Sequence, residues 1–150
     1  MSIRRDQIVQ AMVTRFKTVT VANGYHSNAG NNCSSWFEDP SVTYDQTEVP
    51  FINVRDTKDE IKVGTVGGLM DHRLTVEIDT SAFGNTADIS IRQQIYDVYK
   101  AIGSDPYWGG LAIDTEPGSD EILADMGARK IVQAKITVTI MFRTGFFAES

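Results

Sequence analysis

The sequence predicts an α+β fold, a mainly antiparallel β-sheet with two α-helices packed on one face. Three observations carry the prediction. Ile131 to Arg143 alternates strictly: Val132, Ala134, Ile136, Val138, Ile140 and Phe142 fall on one face, and Gln133, Lys135, Thr137, Thr139, Met141 and Arg143 on the other. Such period-two patterning marks a strand with one apolar face, here roughly twice the usual length. Two segments carry a helical stripe instead, Ile8, Val9, Met12, Val13 and Phe16 near the start and Ile91, Ile95, Val98 and Ile102 further on. Between and after them lie short alternating stretches set apart by turn residues.

The elements follow in order. Residues 3 to about 18 are predicted helical, with Ser2 as N-cap and Asp6 in the first turns, where the helix dipole favours a carboxylate. Asn23-Gly24 and Ala29-Gly30-Asn31-Asn32 then read as turns. Cys33 to Phe37 reads as a short strand ended by Glu38-Asp39-Pro40. Pro50 to Arg55 is a better one, because a leading proline suits the first position of a strand. Thr57 to Glu60 reads as a charged turn, with Ile61 and Val63 returning from it as a hairpin.

Gly64, Gly67 and Gly68 make the next segment a flexible loop. Leu74, Val76 and Ile78 give a half-buried strand over Arg73 to Asp79. The second helix is expected from Thr86 to about Ile102, capped by Asn85 or Thr86 and stopped by Gly103. Leu111 to Thr115 is a further short strand, Glu116-Pro117-Gly118 a turn, and an acidic link leads into the long strand.

At 150 residues the chain is expected to be a single domain, 1–150. A chain of that size buries roughly 70% of its unfolded surface, so its core needs no staples. Cys33 is its one cysteine, which excludes an intramolecular disulfide. Asn32-Cys33-Ser34 fits the glycosylation pattern, but no secretory segment accompanies it, and no run reaches the length of a membrane span. A soluble protein made inside the cell is expected, with no membrane partner. The net charge of −6 argues against a general phosphate-backbone binder, though it leaves room for a local basic patch, and no direct sequence-specific nucleic-acid binding is expected. Charge is uneven: Arg4, Arg5, Arg15 and Lys17 make the N-terminus basic, and residues 114 to 125 are acidic, a distribution suited to orienting one subunit against another.

No residue cluster announces catalysis. His26 and His72 lack ligand spacing, and Asp71 and His72, as chain neighbours, point apart; surface or structural roles are expected. Cys33 has no activating flank and reads as a partly buried structural cysteine. Gly64-Thr65-Val66-Gly67-Gly68 lacks the lysine and the following helix of a phosphate cradle. Asp114, Glu116, Asp120, Glu121 and Asp125 do not have calcium-loop spacing and read as a solvated acidic face. No cofactor and no metal site is expected. The aromatic segments Tyr107-Trp108 and Phe146-Phe147 suit core capping or interface anchoring, and the second would sit on a chain end. The candidate interface residues are therefore Lys135, Thr137, Thr139 and Met141, on a face too mild to be meant only for water, together with Phe146 and Phe147.

The order of elements has a parallel. An amphipathic helix runs into Val21-Ala22-Asn23-Gly24-Tyr25; a Glu48-Val49-Pro50-Phe51-Ile52-Asn53-Val54 strand follows. Then come a charged hairpin, the Leu74-Thr75-Val76-Glu77-Ile78 strand, a long helix and the alternating C-terminal strand. Over most of its length this resembles the tail terminator (minor tail or tail-completion) proteins of long-tailed bacteriophages and prophages. The resemblance implies a structural, non-enzymatic role. Such a protein caps the completed tail tube as a homo-oligomeric ring, commonly a hexamer, and offers a head-joining surface. Its partners would be itself, the tail tube protein and a head-completion or connector protein. Its place would be the head–tail junction of the virion tail, after synthesis in the host bacterial cytoplasm. No catalytic residue carries over. The alternatives are a head-completion or connector adaptor of the same particle, and a small ligand-binding or enzymatic α+β domain.

Overall fold

The computed structural model describes residues 3–36, 50–63, 67–125 and 131–150. They form an α+β fold in which a five-stranded, mostly antiparallel sheet carries two helices on one face. Helix α1 spans Arg4–Phe16; after two 3-10 turns come strands β1, Cys33–Ser35, β2, Ile52–Val63, and β3, Leu69–Phe83. Helix α2, Ala87–Ser104, leads to β4, Asp114–Asp125, and β5, Ile131–Gly145. The strand order is β1-β2-β3-β5-β4, with β1 parallel to β2 and every other pair antiparallel.

Register explains the layering. Leu74 lies opposite Ile140, Val76 opposite Val138 and Ile78 opposite Ile136. Because side chains alternate across a sheet, the even-numbered residues of β3 and β5 all point to the face that α1 and α2 cover. There they join Ile8, Met12 and Phe16 of α1 and Ile91, Val98 and Ala101 of α2 in one buried cluster. The half-buried strand over Arg73 to Asp79 and the long C-terminal strand are as expected in kind, and both run longer than the alternation indicated, as β3 and β5; the hairpin expected within residues 50–63 is instead one strand, β2, paired with β3.

Polar contacts fix the connections. The carboxylate of Asp97, buried on α2, accepts the backbone N–H groups of His26 and Ser27 at 3.0 Å each and the Ser27 hydroxyl at 2.8 Å. It thereby holds the loop that follows α1 against the second helix. Gly30 passes so close to the end of α1 that a Cβ there would lie 2.3 Å from the Phe16 carbonyl oxygen, so no larger residue fits. Trp108, in a left-handed conformation, is buried between the helix ends: Phe16 meets it edge-on at 6.2 Å and the Arg15 guanidinium lies 4.0 Å over its ring. Its indole N–H donates to Thr115 Oγ1 at 2.8 Å.

Five local expectations change. Ile3 occupies the N-cap position of α1 without a side-chain cap bond; Ser2 lies outside the described residues. Thr57 to Glu60 is not a turn: β2 continues through it, and a bulge between Asp56 and Lys58 absorbs one extra residue, with the reversal coming after Val63. Likewise Glu116-Pro117-Gly118 is a bulge inside β4, and the acidic link is an edge strand paired to β5 from Asp114 to Asp125. A Cβ on Gly118 would meet the Thr137 carbonyl oxygen at 2.6 Å, which is why glycine stands at that bulge. Gly103 lies within α2, which runs on to Ser104 and is followed by Asp105. Residues 64–66 of the expected loop lie outside the described residues.

Candidate subunit interface

The face of the sheet opposite the helices has no layer over it among the described residues. The odd-numbered residues of β5 and β3 form its centre: Thr139 lies opposite Thr75, Thr137 opposite Glu77, Lys135 opposite Asp79 and Met141 opposite Arg73. Thr75, Thr137, Thr139 and Met141 are all half-buried by their own neighbours alone. Ion pairs rim this stripe. Arg55 grips Asp79 with two hydrogen bonds, at 2.6 and 2.9 Å, and reaches Glu77 at 3.0 Å. The Asp79 hydrogen bond raises the guanidinium above its usual range. Arg143 pairs with Asp71 at 2.6 Å, and its hydrogen bond lowers that carboxyl below its usual range. Arg73 reaches Glu116 on β4 at 2.7 Å. Charges at the rim are therefore largely neutralised within the chain, and the centre is hydroxyl and thioether.

The six candidate residues do not form one patch. Lys135, Thr137, Thr139 and Met141 run down β5 on the open face. Phe146 and Phe147 lie beyond its end, in a turn that folds back toward the helix side. That turn is ordered by Phe146 N–H to Gly68 O at 2.8 Å, Gly145 N–H to Ser150 O at 3.1 Å and Arg4 N–H to Glu149 O at 2.8 Å. The two rings meet edge-on at 4.6 Å, and Phe147 is 84% exposed with a left-handed backbone. The exposed aromatic pair is thus carried on a turn held by three backbone hydrogen bonds.

The two sides of the sheet end differently. On one side β4 is an outermost strand carrying Asp114, Glu116, Asp120 and Glu121, with the neighbouring Ile122 and Leu123 both exposed. Its Asp120 accepts a 2.8 Å hydrogen bond from Tyr99; burial, then that bond, pushes the phenol up to about 12. On the other side β1 covers β2 only from Ile52 to Val54, with Trp36 N–H adding one bond to Val54 O. Beyond Val54 no strand among the described residues pairs with the outer edge of β2, where Lys58, Lys62, Ile61 and Val63 are exposed. The basic N-terminus is spent on internal pairs: Arg5 holds Asp56 at 2.6 Å and Arg15 reaches Asp105 at 3.5 Å.

The remaining candidates are structural. Cys33 is buried, its thiol pushed up to about 12 by that burial, and it contacts the Val13 carbonyl at 3.8 Å. Asp71 and His72 do point to opposite faces. Among the described residues no group of histidine, cysteine and carboxylate side chains could hold a metal ion, and no helix is long and apolar enough to cross a membrane. What the sequence reading missed is a buried set at the far end of the helix-side face, where His72 joins Asp59 and Thr144 at 2.8 Å each. His72 and Thr144 share the even-numbered phase of the core residues, which is the signal that marks them as inward-facing. No protein-family model matches the chain, and no curated protein matches it.

Proposed function

We propose that the protein is a structural assembly subunit that closes into a homo-oligomeric ring and works as a tail terminator. In that role it caps a completed phage tail tube and offers the surface to which the head-completion or connector protein joins. The ring would sit at the head–tail junction of the virion after synthesis in the host bacterial cytoplasm, and it performs no catalysis. The subunit number, six, comes from the resemblance in element order.

The observation that carries this reading is the pair of unlike edges on one sheet. Successive antiparallel pairings make β4 run opposite to β2. A neighbour turned about an axis along the strands therefore brings β4 of one copy antiparallel to the part of β2 beyond Val54 in the next, which no strand among the described residues covers. Unlike patches joined head to tail are what a closed ring requires, and backbone pairing at free edges supplies the adhesion. The rows also match in charge. Lys58, Thr75, Thr139 and Glu116 lie in one row across the sheet, so a neighbour with no slide along the axis sets Lys58 against Glu116 and Asp114–Ser119 against Arg55–Glu60; from Asp120 on, β4 comes level with Val54 to Ile52, which β1 covers, and has to bend away. The row through Arg73 sets Glu60 level with Asp114, a like-charge pair that Lys62 flanks. With strands about 4.8 Å apart, the four strands β2-β3-β5-β4 give each copy a wall of about 19 Å. Six copies would close a ring about 37 Å in diameter measured at the strand backbones, on that spacing. The open Thr75–Thr137–Thr139–Met141 face would then be turned toward one side of the wall as a continuous surface.

Sedimentation velocity across a concentration series, with electron micrographs of the same samples, tests the reading. Annular particles whose fraction rises with concentration, or on adding tail tube protein, are the expected result. A strictly monomeric species at high concentration that tail tube protein leaves unchanged would overturn it.

A further inference from the structure

At the far end of the helix-side face, three side chains of three strands form a buried chain of hydrogen bonds. Asp59 Oδ2 lies 2.8 Å from His72 Nδ1, and His72 Nε2 lies 2.8 Å from Thr144 Oγ1. All three are about nine-tenths or more buried. The imidazole stacks on Phe142 with ring centroids 4.3 Å apart and planes within 8°. Thr144 Oγ1 also lies 3.0 Å from the Gly145 carbonyl oxygen, and that same carbonyl accepts the Ala148 N–H at 3.1 Å. The array thus touches the turn that carries Phe146 and Phe147.

Counting hydrogens gives this arrangement two states. A carboxylate only accepts, so Nδ1 must carry the hydrogen toward Asp59. In a neutral ring Nε2 then has a lone pair, and it takes the single hydroxyl hydrogen of Thr144. Gly145 O is left with the Ala148 N–H alone. In the imidazolium both ring nitrogens donate. Nε2–H then points at Thr144 Oγ1, and the hydroxyl hydrogen is freed to bond Gly145 O. Every contact at hydrogen-bonding distance is satisfied at once only in the charged state. We propose that Asp59, His72 and Thr144 form a proton-operated latch that fastens the C-terminal turn carrying Phe146 and Phe147.

The charges around the latch are few. From β2 only Asp59 faces it, its Oδ1 buried without a hydrogen-bond partner among the described residues; Lys58, Glu60 and Lys62 belong to the opposite face. From β5 the facing residues Ile140, Phe142 and Thr144 carry no charge, and Arg143 and Asp71 pair with each other on the open face. The start of α1 brings Arg4, and the segment after β5 brings Glu149, at the Arg4 N–H to Glu149 O contact. Asp59 is therefore the one charge in direct contact with the ring among the described residues.

Hydrogen exchange at the Ala148 and Phe146 amides, corrected for intrinsic chemistry, reads the turn, while NMR of the His72 ring reads its proton. Across the pH range in which the protein stays folded, protection in the wild type should fall on the order of three- to tenfold as the ring loses its proton, the effect of one hydrogen bond. The fall should track the ring's titration. Thr144→Val should give low protection at both ends of that range, and Thr144→Ser should restore the step. Asp59→Asn should flatten the step, because its amide can donate to Nδ1 and let a neutral ring donate Nε2–H to Thr144, which frees the hydroxyl for Gly145 O without a charge; a merely structural contact would leave the step in place. A ring that keeps one charge across the range, protection that stays flat while the ring titrates, or a step that persists in Thr144→Val overturns the latch.

Discussion

The two faces of the β3–β5 ladder are built from alternate residues of the same two strands, and they have opposite characters. The even face is sealed: Ile78, Ile136, Val138 and Ile140 are buried beneath α1 and α2. The odd face is open, with threonines and Met141 at its centre and paired charges at its rim. A face meant only for solvent has no need to neutralise its charges or to thin them out at the centre. The contrast teaches that one ladder has one face committed to the cohesion of the monomer and another left over, which the proposed ring would use for contact beyond it.

Substitutions that exchange the two characters break the comparison most sharply. Ile136→Asp should abolish folding, because it buries an unpaired charge, and Ile136→Ala should cost about 2–5 kcal/mol in urea unfolding. Three residues along the same strand, Thr139→Arg should change monomer stability by no more than about 0.5 kcal/mol, yet abolish the rise in annular particles on adding tail tube protein. A charged residue at Met141 should behave the same way. If assembly survives both, the open face is ordinary surface. A smaller effect is expected at the edges. Lys58→Glu should weaken association by on the order of tenfold, as expected for one interfacial charge pair set against its like, and Glu116→Lys in the same chain should recover most of it. Failure of that recovery would remove the level register from the ring while leaving the edges themselves in play.

The smallest effect concerns acid. The Asp71 carboxyl is held low by its hydrogen bond to Arg143, and that of Asp105 by the backbone N–H groups of Gly109 and Tyr107. A carboxyl lowered by folding stabilises the fold fully above its unfolded value, about pH 4, and loses that contribution as pH falls through the lower folded value. Stability should therefore be flat above about pH 5 in these two groups and decline only below it. Both groups are exposed, so Asp71→Asn and Asp105→Asn should flatten the decline modestly in acid unfolding curves.

Legibility in the sequence followed burial. β3 and β5 were readable because each is buried on one face, which forces alternation. The helices were readable for the same reason at a different period. β4 was not, because an edge strand exposed along most of its length has no face to protect: Ile122 and Leu123 stand side by side, and Pro117-Gly118 imitates a turn. The latch was half legible. His72 and Thr144 sit in the core phase of their strands, but Asp59 comes into reach only after the irregularity in β2. The likeness in element order rested on those same buried strands, and the long edges on which the ring proposal rests lay in segments that read as turn and link.

That irregularity in β2 also decides where the chain tolerates a change of length. Up to Asp56 the even residues of β2 face the helix side, and from Asp59 the odd ones do. Erasing the bulge while keeping every residue would slide the rest of the strand by one. Lys58, Glu60 and Lys62 would then turn under the helix-side face, and Asp59 would leave His72. Removing Thr57 itself has no such consequence, since Asp56 and Lys58 already pair with consecutive residues, Val76 and Thr75. Position 57 is thus a spare link: the strand can be shortened there without reassigning a single partner, whereas the loss of one residue elsewhere in β2 shifts every pairing between the gap and the bulge.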